Sequence, residues 1–362
     1  MDTGLAGLGE RLDAVIAAAL GSRIVGCVVL VNQKGRGVYA RAAGLADREA
    51  GRAMQVDAIF RLASVTKPIV AACVLRMVDL DLIGLDDPVT KFLRNFRPRC
   101  PDGSLGDIRI RHLLTHTSGL TYVGGGTYPR GLSGPLIALD QVMAEVAAEG
   151  LLFAPGTGWE YGMSIDVLGA VVAAVNGSDV AGAVAALVTG PLGMADTRFG
   201  VSDGTRLAHP YRDGTPPVRM EGEVTFAETP FSVPRIHEPR AAQSGGAGMA
   251  GSAGDVMRLL EALRGDFLSP GLRDAAFANQ IGVIARRGTD AGKRFGFLGA
   301  VTEDSRAAGT ALPVGAVDWG GAWGHNWVVD RASETVIVVC TNTTFEGCNG
   351  PFREEVIGAV FG

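Results

Sequence analysis

Apolar residues recur at Leu8, Leu12, Val15, Ile16 and Leu20, a spacing that predicts an amphipathic helix near the start of the chain. The period then changes. The stretch "IVGCVVLVNQKGRGVYARAAG" reads as two strands around a Gly-containing turn, and the short run "AIFRLAS" leads straight into Ser64. Toward the other end, "HNWVVDRASETVIVVCTNT" predicts another hairpin and "FREEVIGAVFG" a closing helix. Both ends therefore supply strands and a terminal helix. Between them run helical patterns such as "LIALDQVMAEVAAEG" and "SIDVLGAVVAAVNG", the second closed by Gly177 as a C-cap. The economical architecture is of the α/β (α+β) class: an antiparallel sheet flanked by helices, built from residues 1–90 and 251–362, with a mostly helical domain inserted at 91–250. Residues 199–243 hold six prolines and few periodic apolar positions. A structureless segment of that length is mobile or functional, as a lid or a pocket wall.

Composition narrows the function classes. The chain has 362 residues, 47% hydrophobic and 20% charged, enough to bury a sizeable core. A net charge of −5 without any basic run argues against a nucleic-acid or anionic-membrane partner and leaves a small neutral molecule as the natural one. No stretch reaches the roughly 18 apolar residues of a membrane span, and an acidic Asp2 with no early Lys reads as the start of a helix rather than a signal peptide. The five cysteines are scattered and lack C-x-x-C spacing, so neither a disulfide framework nor a zinc site is expected and a reducing cytoplasm fits best. Oligomeric state cannot be read from these features.

Chemistry concentrates in a few segments. In "ASVTKPIVAACVLRMV" Ser64 and Lys67 lie three apart, on one helix face. Pro68 is tolerated only in a first turn, which puts Ser64 at the mouth of the helix, where free N–H groups favour a developing oxyanion. Two readings stay open: a nucleophile with its activator, or a helix cap beside a solvated cation. "HLLTHTSGL" spaces His112 and His116 as two metal ligands would be, but offers no third ligand, so local hydrogen bonding near Gly119 is expected and no metal. "GAGMAG" at 246–251 matches a dinucleotide fingerprint without the strand that should precede it. No cofactor is expected. "SAGD", from Ser252 to Asp255, is a capping box. "PGTGWEYGM" sets Tyr161 just before a helix, and "DWGGAWGHNWVVD" packs three Trp, three Gly and a His ahead of a strand.

Taken in order, these segments resemble the serine β-lactamase and penicillin-binding-protein superfamily, in particular the family VIII carboxylesterases that are similar to class C β-lactamases. The resemblance rests on Ser64 and Lys67 in "FRLASVTK", on Tyr161 in "YGM", on Trp319, Gly320 and Gly321 of the facing strand, and on "HLLTHTSGL", "PGTGWEY" and "GGAGMAGSAGD". It implies a β-lactamase/DD-peptidase-like fold and a serine hydrolase. Ser64 is then the nucleophile, Lys67 and Tyr161 the base pair, and the backbone N–H groups of Ser64 and Ala322 the oxyanion donors. Trp319, Trp323, Trp327 and Tyr122 or Tyr128 are expected to line an apolar pocket, with His325 at the site or behind the strand. For Lys67 to act as a base, its pKa would have to fall from about 10.4 to about 7.4, roughly 4 kcal/mol of environment.

The departures bear on substrate. Penicillin-recognising relatives place Lys-Thr-Gly or His-Thr-Gly where this chain has Trp319-Gly320-Gly321, and the Asn usual two residues after the tyrosine is Met163. Both losses favour a short neutral ester over a lactam. The alternatives are a β-lactamase or DD-peptidase-like amide hydrolase, an acyl transferase, and a non-catalytic acyl-binding module.

Overall fold

The computed structural model describes residues 7–122, 132–133, 136–227, 229–286 and 291–362. Helix α1 (Leu8–Ala19) buries Leu8, Leu12, Ile16 and Ala19 along one stripe. The hairpin of β1 (Gly26–Gln33) and β2 (Arg36–Asp47) follows, with Lys34 and Gly35 at positive φ in its turn. After β3 (Arg52–Ala53) and β4 (Ile59–Arg61), a 3₁₀ turn at Ala63–Val65 runs without a break into α2 (Thr66–Asp79). The middle of the chain carries α3 (Ile110–Leu114), α4 (Leu139–Glu149), α5 (Ser164–Asn176) and α6 (Val180–Val184). Helix α5 ends at Gly177 in the left-handed conformation its sequence predicts.

The segment 199–243 departs from expectation. It holds the second residue of β5 (Arg198–Phe199) and all of β6 (Tyr211–Arg212), β7 (Val218–Arg219), β8 (Glu223–Phe226) and β9 (Thr229–Ser232), with β6–β7 and β8–β9 paired as small antiparallel ribbons. Strands of two to four residues are too short to show a period of two. The inserted region is therefore helical up to about residue 190 and stranded beyond. The remaining elements are β10 (Met249–Ser252), α7 (Ala253–Arg264), α8 (Pro270–Ala276), β11 (Lys293–Phe295), β12 (Ala300–Thr302), β13 (Val317–Gly321), β14 (His325–Asp330), β15 (Thr335–Thr341) and α9 (Pro351–Phe361). Ser252 caps α7 by accepting the Asp255 N–H.

Eight strands form the main sheet in the order β11-β12-β13-β14-β15-β1-β2-β3, antiparallel throughout. Val29 of β1 pairs with Val339 of β15, joining the two ends of the chain. Both faces of these strands are covered. Cys27, Val29, Val31, Ile337 and Val339 face α1 and α9, whereas Val28, Val336, Val338 and Cys340 face the other way, into the core that contains α2, α5 and α7. That double burial is why β1 and β15 read as apolar runs rather than alternations. A division of the chain at 90 and 250 is a proposal about folding units; in the folded chain α2 and α5 share one apolar core. A second sheet, β4-β10-β5, holds the approach to Ser64 next to the loop before β10.

Among the described residues no single helix is long and apolar enough to cross a membrane. The bent pair Ser164–Asn176 and Val180–Thr189 passes only when taken together, and its Ile165, Val167, Leu168 and Val171 lie in the shared core.

Candidate active site

The nucleophile candidate sits where a strand is turned sharply into a helix. Arg61, at the end of β4, anchors its guanidinium on the carbonyl oxygens of Ala208 and Val233. Ala63 then adopts φ +46°, a left-handed conformation that a residue with a Cβ adopts at a cost of about 1 kcal/mol. The reversal leaves Ser64 in the 3₁₀ turn at the head of α2, with Pro68 in the first α-helical turn.

Ser64 Oγ accepts from Tyr161 Oη at 2.8 Å and from Lys67 Nζ at 3.3 Å. Lys67 is only 4% exposed, which removes the reading of a solvated surface cation. Its ammonium also donates to the Gly246 carbonyl oxygen at 2.8 Å and to Tyr122 Oη at 3.0 Å. Three N–H groups thus meet three acceptors. This corrects the expectation of a depressed Lys67. Burial pulls its pKa down, but the oxygens of Tyr122 and Tyr161 and the carboxylate of Asp166 outweigh burial, and the net shift is upward. That direction runs against a Lys67 that gives up its proton near neutral pH. Burial in turn pushes the Tyr122 phenol up, so it stays protonated.

Tyr161 is held from three sides. Trp319 Nε1 donates to its oxygen at 3.2 Å, Lys67 Nζ lies 4.6 Å from its ring centroid, and the His116 ring packs at 4.8 Å. His116 is itself in a left-handed conformation, φ +57°, and its Nδ1 accepts the N–H of Gly162, next to Tyr161. Burial drives His116 strongly downward, with Lys67 and Arg286 adding to the effect, so its ring is neutral. His112 Nδ1 accepts the Arg109 N–H; both histidines are engaged locally.

Small residues let β13 reach the nucleophile. A Cβ on Gly321 would collide with the Leu62 carbonyl oxygen, and one on Gly320 would press on Cys348 Sγ. Ser64, Tyr122, Tyr161, Trp319, Gly320 and Ala322 line one cavity of about 690 Å³. The other expected residues lie elsewhere. Trp327 is fully buried in the core. Trp323 packs edge-on against Phe231, with Met220 and Ala63, because that turn is covered by β9. His325 is 1% exposed and donates from Nε2 to the Arg61 carbonyl at 2.8 Å, tying β14 to β4 rather than facing the cavity. Tyr128 lies outside the described residues.

Four features escaped the sequence reading. Gly246, inside the apparent dinucleotide fingerprint, supplies a carbonyl to Lys67 rather than a turn to a nucleotide. Trp319 contributes an N–H to the phenol as well as a wall. Asp166 is buried within apolar α5, and a lone acid in such a helix was the signal available for it. Arg286 lines the cavity with its guanidinium 5.0 Å from the Trp159 ring and 5.5 Å from the Trp319 ring.

A family profile described as Beta-lactamase matches residues 12–358. The chain belongs to that family. It is 48% identical to Esterase EstB of Burkholderia gladioli, over 98% of this chain and 96% of that protein. The solved structure of EstCE1, described as a hydrolase with promiscuous acyltransferase activity, superposes with a TM-score of 0.91 at 35% identity, covering 100% of this chain and 99% of that one. Unliganded simvastatin synthase (LovD) of Aspergillus terreus matches with a TM-score of 0.72 at 21% identity, over 98% and 97%, a likeness of fold alone.

Proposed function

We propose that this protein is a serine carboxylesterase of the family VIII type, hydrolysing short-chain acyl esters through an acyl-enzyme on Ser64. The observation that carries the reading is the hydroxyl of Tyr161 at 2.8 Å from Ser64 Oγ with the buried Lys67 ammonium beside both. A serine hydroxyl needs a base within hydrogen-bond reach. Because Lys67 holds its proton, Tyr161 takes that part, its oxygen faced by the Trp319 N–H and the Lys67 ammonium, the surroundings a transient phenolate needs.

The steps balance as follows. The phenol first gives its proton to solvent; the Ser64 proton then passes to the Tyr161 phenolate oxygen as Oγ bonds to the ester carbonyl carbon, and the tetrahedral oxyanion collapses as the alkoxide leaves with the proton from Tyr161, which returns to phenolate. Water then repeats the sequence, and the freed acid restores Ser64. The oxyanion is assigned to the backbone N–H groups of Ser64 and Ala322, each worth roughly 3–4 kcal/mol in the transition state. Trp319, Gly320, Gly321 and Tyr122 are assigned to the substrate wall. An alcohol in place of water gives acyl transfer from the same intermediate, the second activity for which EstCE1 is described. The 48% identity to an esterase supports esters over amides as substrates. A cytoplasmic location is part of the proposal, supported by five free cysteines.

The test is turnover of p-nitrophenyl butyrate beside ring opening of a chromogenic cephalosporin on one preparation. Ester hydrolysis dominating by more than about tenfold supports the reading; ring opening dominating replaces it with a lactamase, and neither activity leaves the acyl-binding module.

A further inference from the structure

A buried carboxylate beside the catalytic groups has no part in the steps above. Asp166, five residues after Tyr161 on α5, is 1% exposed between apolar Ile165 and Val167. Its Oδ1 accepts the Ser244 hydroxyl and, at 3.2 Å, the Gly246 N–H. Its Oδ2 has no hydrogen-bond partner and lies so close to Gly246 that a Cβ there would collide with it. The carbonyl of the same Gly246 accepts Lys67 Nζ at 2.8 Å. One glycine thus turns its N–H to a buried anion and its C=O to a buried cation.

Burying a lone carboxylate costs several kcal/mol and ordinarily neutralises it. Burial does push Asp166 upward, opposed first by Lys67 and then by its two hydrogen bonds. Burial still leaves Asp166 raised overall, and the Lys67 charge, joined to it through the one peptide unit of Gly246, is the largest influence opposing its neutralisation. We propose that Asp166 is a positioning residue for the reaction, the buried counter-charge that, through Gly246, holds Lys67 as an ammonium aimed at Ser64 and Tyr122. This rests on the esterase reading for the identity of the reacting groups, but not on any particular ester. Any residue other than glycine at 246 would force the carboxylate away, which explains a glycine at a turn position whose φ does not require one.

The groups around Lys67 are Ser64 on its own turn, Tyr122 after α3, Tyr161 before α5, Asp166 on α5 and the Gly246 carbonyl before β10. His116, behind Tyr161, is neutral. Arg235 faces Asp166 from beyond β9 and attracts it. With Asp166 neutralised, the ammonium loses its main nearby anion, and Lys67 gives up its proton at lower pH. A step that needs the ammonium fails as pH rises through that point, so the alkaline limit moves down.

The experiment follows the rate of Ser64 labelling by a fluorophosphonate between pH 6 and 10.5 in the wild type, Asp166→Asn and the smaller Asp166→Ser, with circular dichroism to establish folding. Folded variants are expected to label at least about tenfold slower at pH 8, with an alkaline midpoint at least about one pH unit below the wild type. Equal rates and midpoints in a folded variant overturn the proposal. If neither variant folds, the wild type decides: labelling flat through about pH 10 supports it, and a midpoint below about pH 9 overturns it. Ester turnover is recorded in parallel. A wild type that labels normally but hydrolyses no ester refutes the esterase reading while the labelling profiles still report on Asp166.

Discussion

Trp319→Phe keeps an aromatic ring against Tyr161 and deletes the one indole N–H that reaches its oxygen at 3.2 Å. Losing a hydrogen bond to a group that must carry charge to act as the base costs about 1.5–3 kcal/mol, so kcat should fall roughly 10- to 100-fold with KM little changed. Tyr161→Phe should cost at least about two orders of magnitude, and the double variant no more than Tyr161→Phe alone, because the indole acts through the phenol. Steady-state kinetics on the three variants check this; multiplicative losses would show that Trp319 works independently of Tyr161. At this scale the sequence was partly legible. Ser64 and Lys67 are three apart on one turn, and Tyr161 stands in a recognisable segment, so local spacing carried them. The charge of Lys67 was not legible, since it is set by residues 122, 161, 166 and 246, brought together only by the packing of α2, α5 and the loop before β10.

The strand β13 can serve the nucleophile only while nothing projects from Gly321 toward the turn at Leu62. Gly321→Ala forces β13 and the 3₁₀ turn apart, and overpacking of this kind costs about 1–3 kcal/mol. Thermal unfolding should shift down accordingly, and turnover should drop by more than about tenfold as the Ala322 N–H recedes from Ser64. Unchanged turnover would separate β13 from the chemistry. Between β14 and β4, His325 imposes a pH dependence on stability. Burial lowers its pKa to about 4, so on acidification the unfolded chain binds the proton first. The stabilisation is whole above the unfolded value near 6.5 and is lost as pH falls from there to about 4, about 3 kcal/mol in all. Urea unfolding of the wild type and His325→Gln should give a difference that narrows or reverses over that interval; a difference independent of pH would contradict it. Period made the long elements readable, β1, β15, α1 and α5 among them. The ribbons β6–β7 and β8–β9 were hidden because their strands are shorter than the pattern that would announce them.

Over the whole molecule, one continuous core holds the sheet and the helical region in register, and the cavity of about 690 Å³ opens between them with Ser64, Tyr161 and Trp319 in its wall. Where lactam-recognising relatives carry a strand cation, an indole stands, and Lys293 and Arg353, which also line the cavity, are committed to Asp318. A lactam carboxylate entering this cavity without a dedicated partner is expected to lose a factor of hundreds relative to a neutral ester. Comparing kcat/KM for p-nitrophenyl butyrate and a cephalosporin checks it; values within about tenfold would make Arg286, already lining the cavity, the anchor. The expectations about turnover depend on a covalent intermediate at one residue. The most direct measurement is therefore mass spectrometry of acid-quenched enzyme during turnover of p-nitrophenyl butyrate, wild type beside Ser64→Ala. The account predicts one butyryl group on the peptide containing Ser64 in the wild type, none in the variant, and residual turnover in the variant below about one part in a thousand. An adduct on another residue, or a Ser64→Ala protein that keeps its activity, would contradict it.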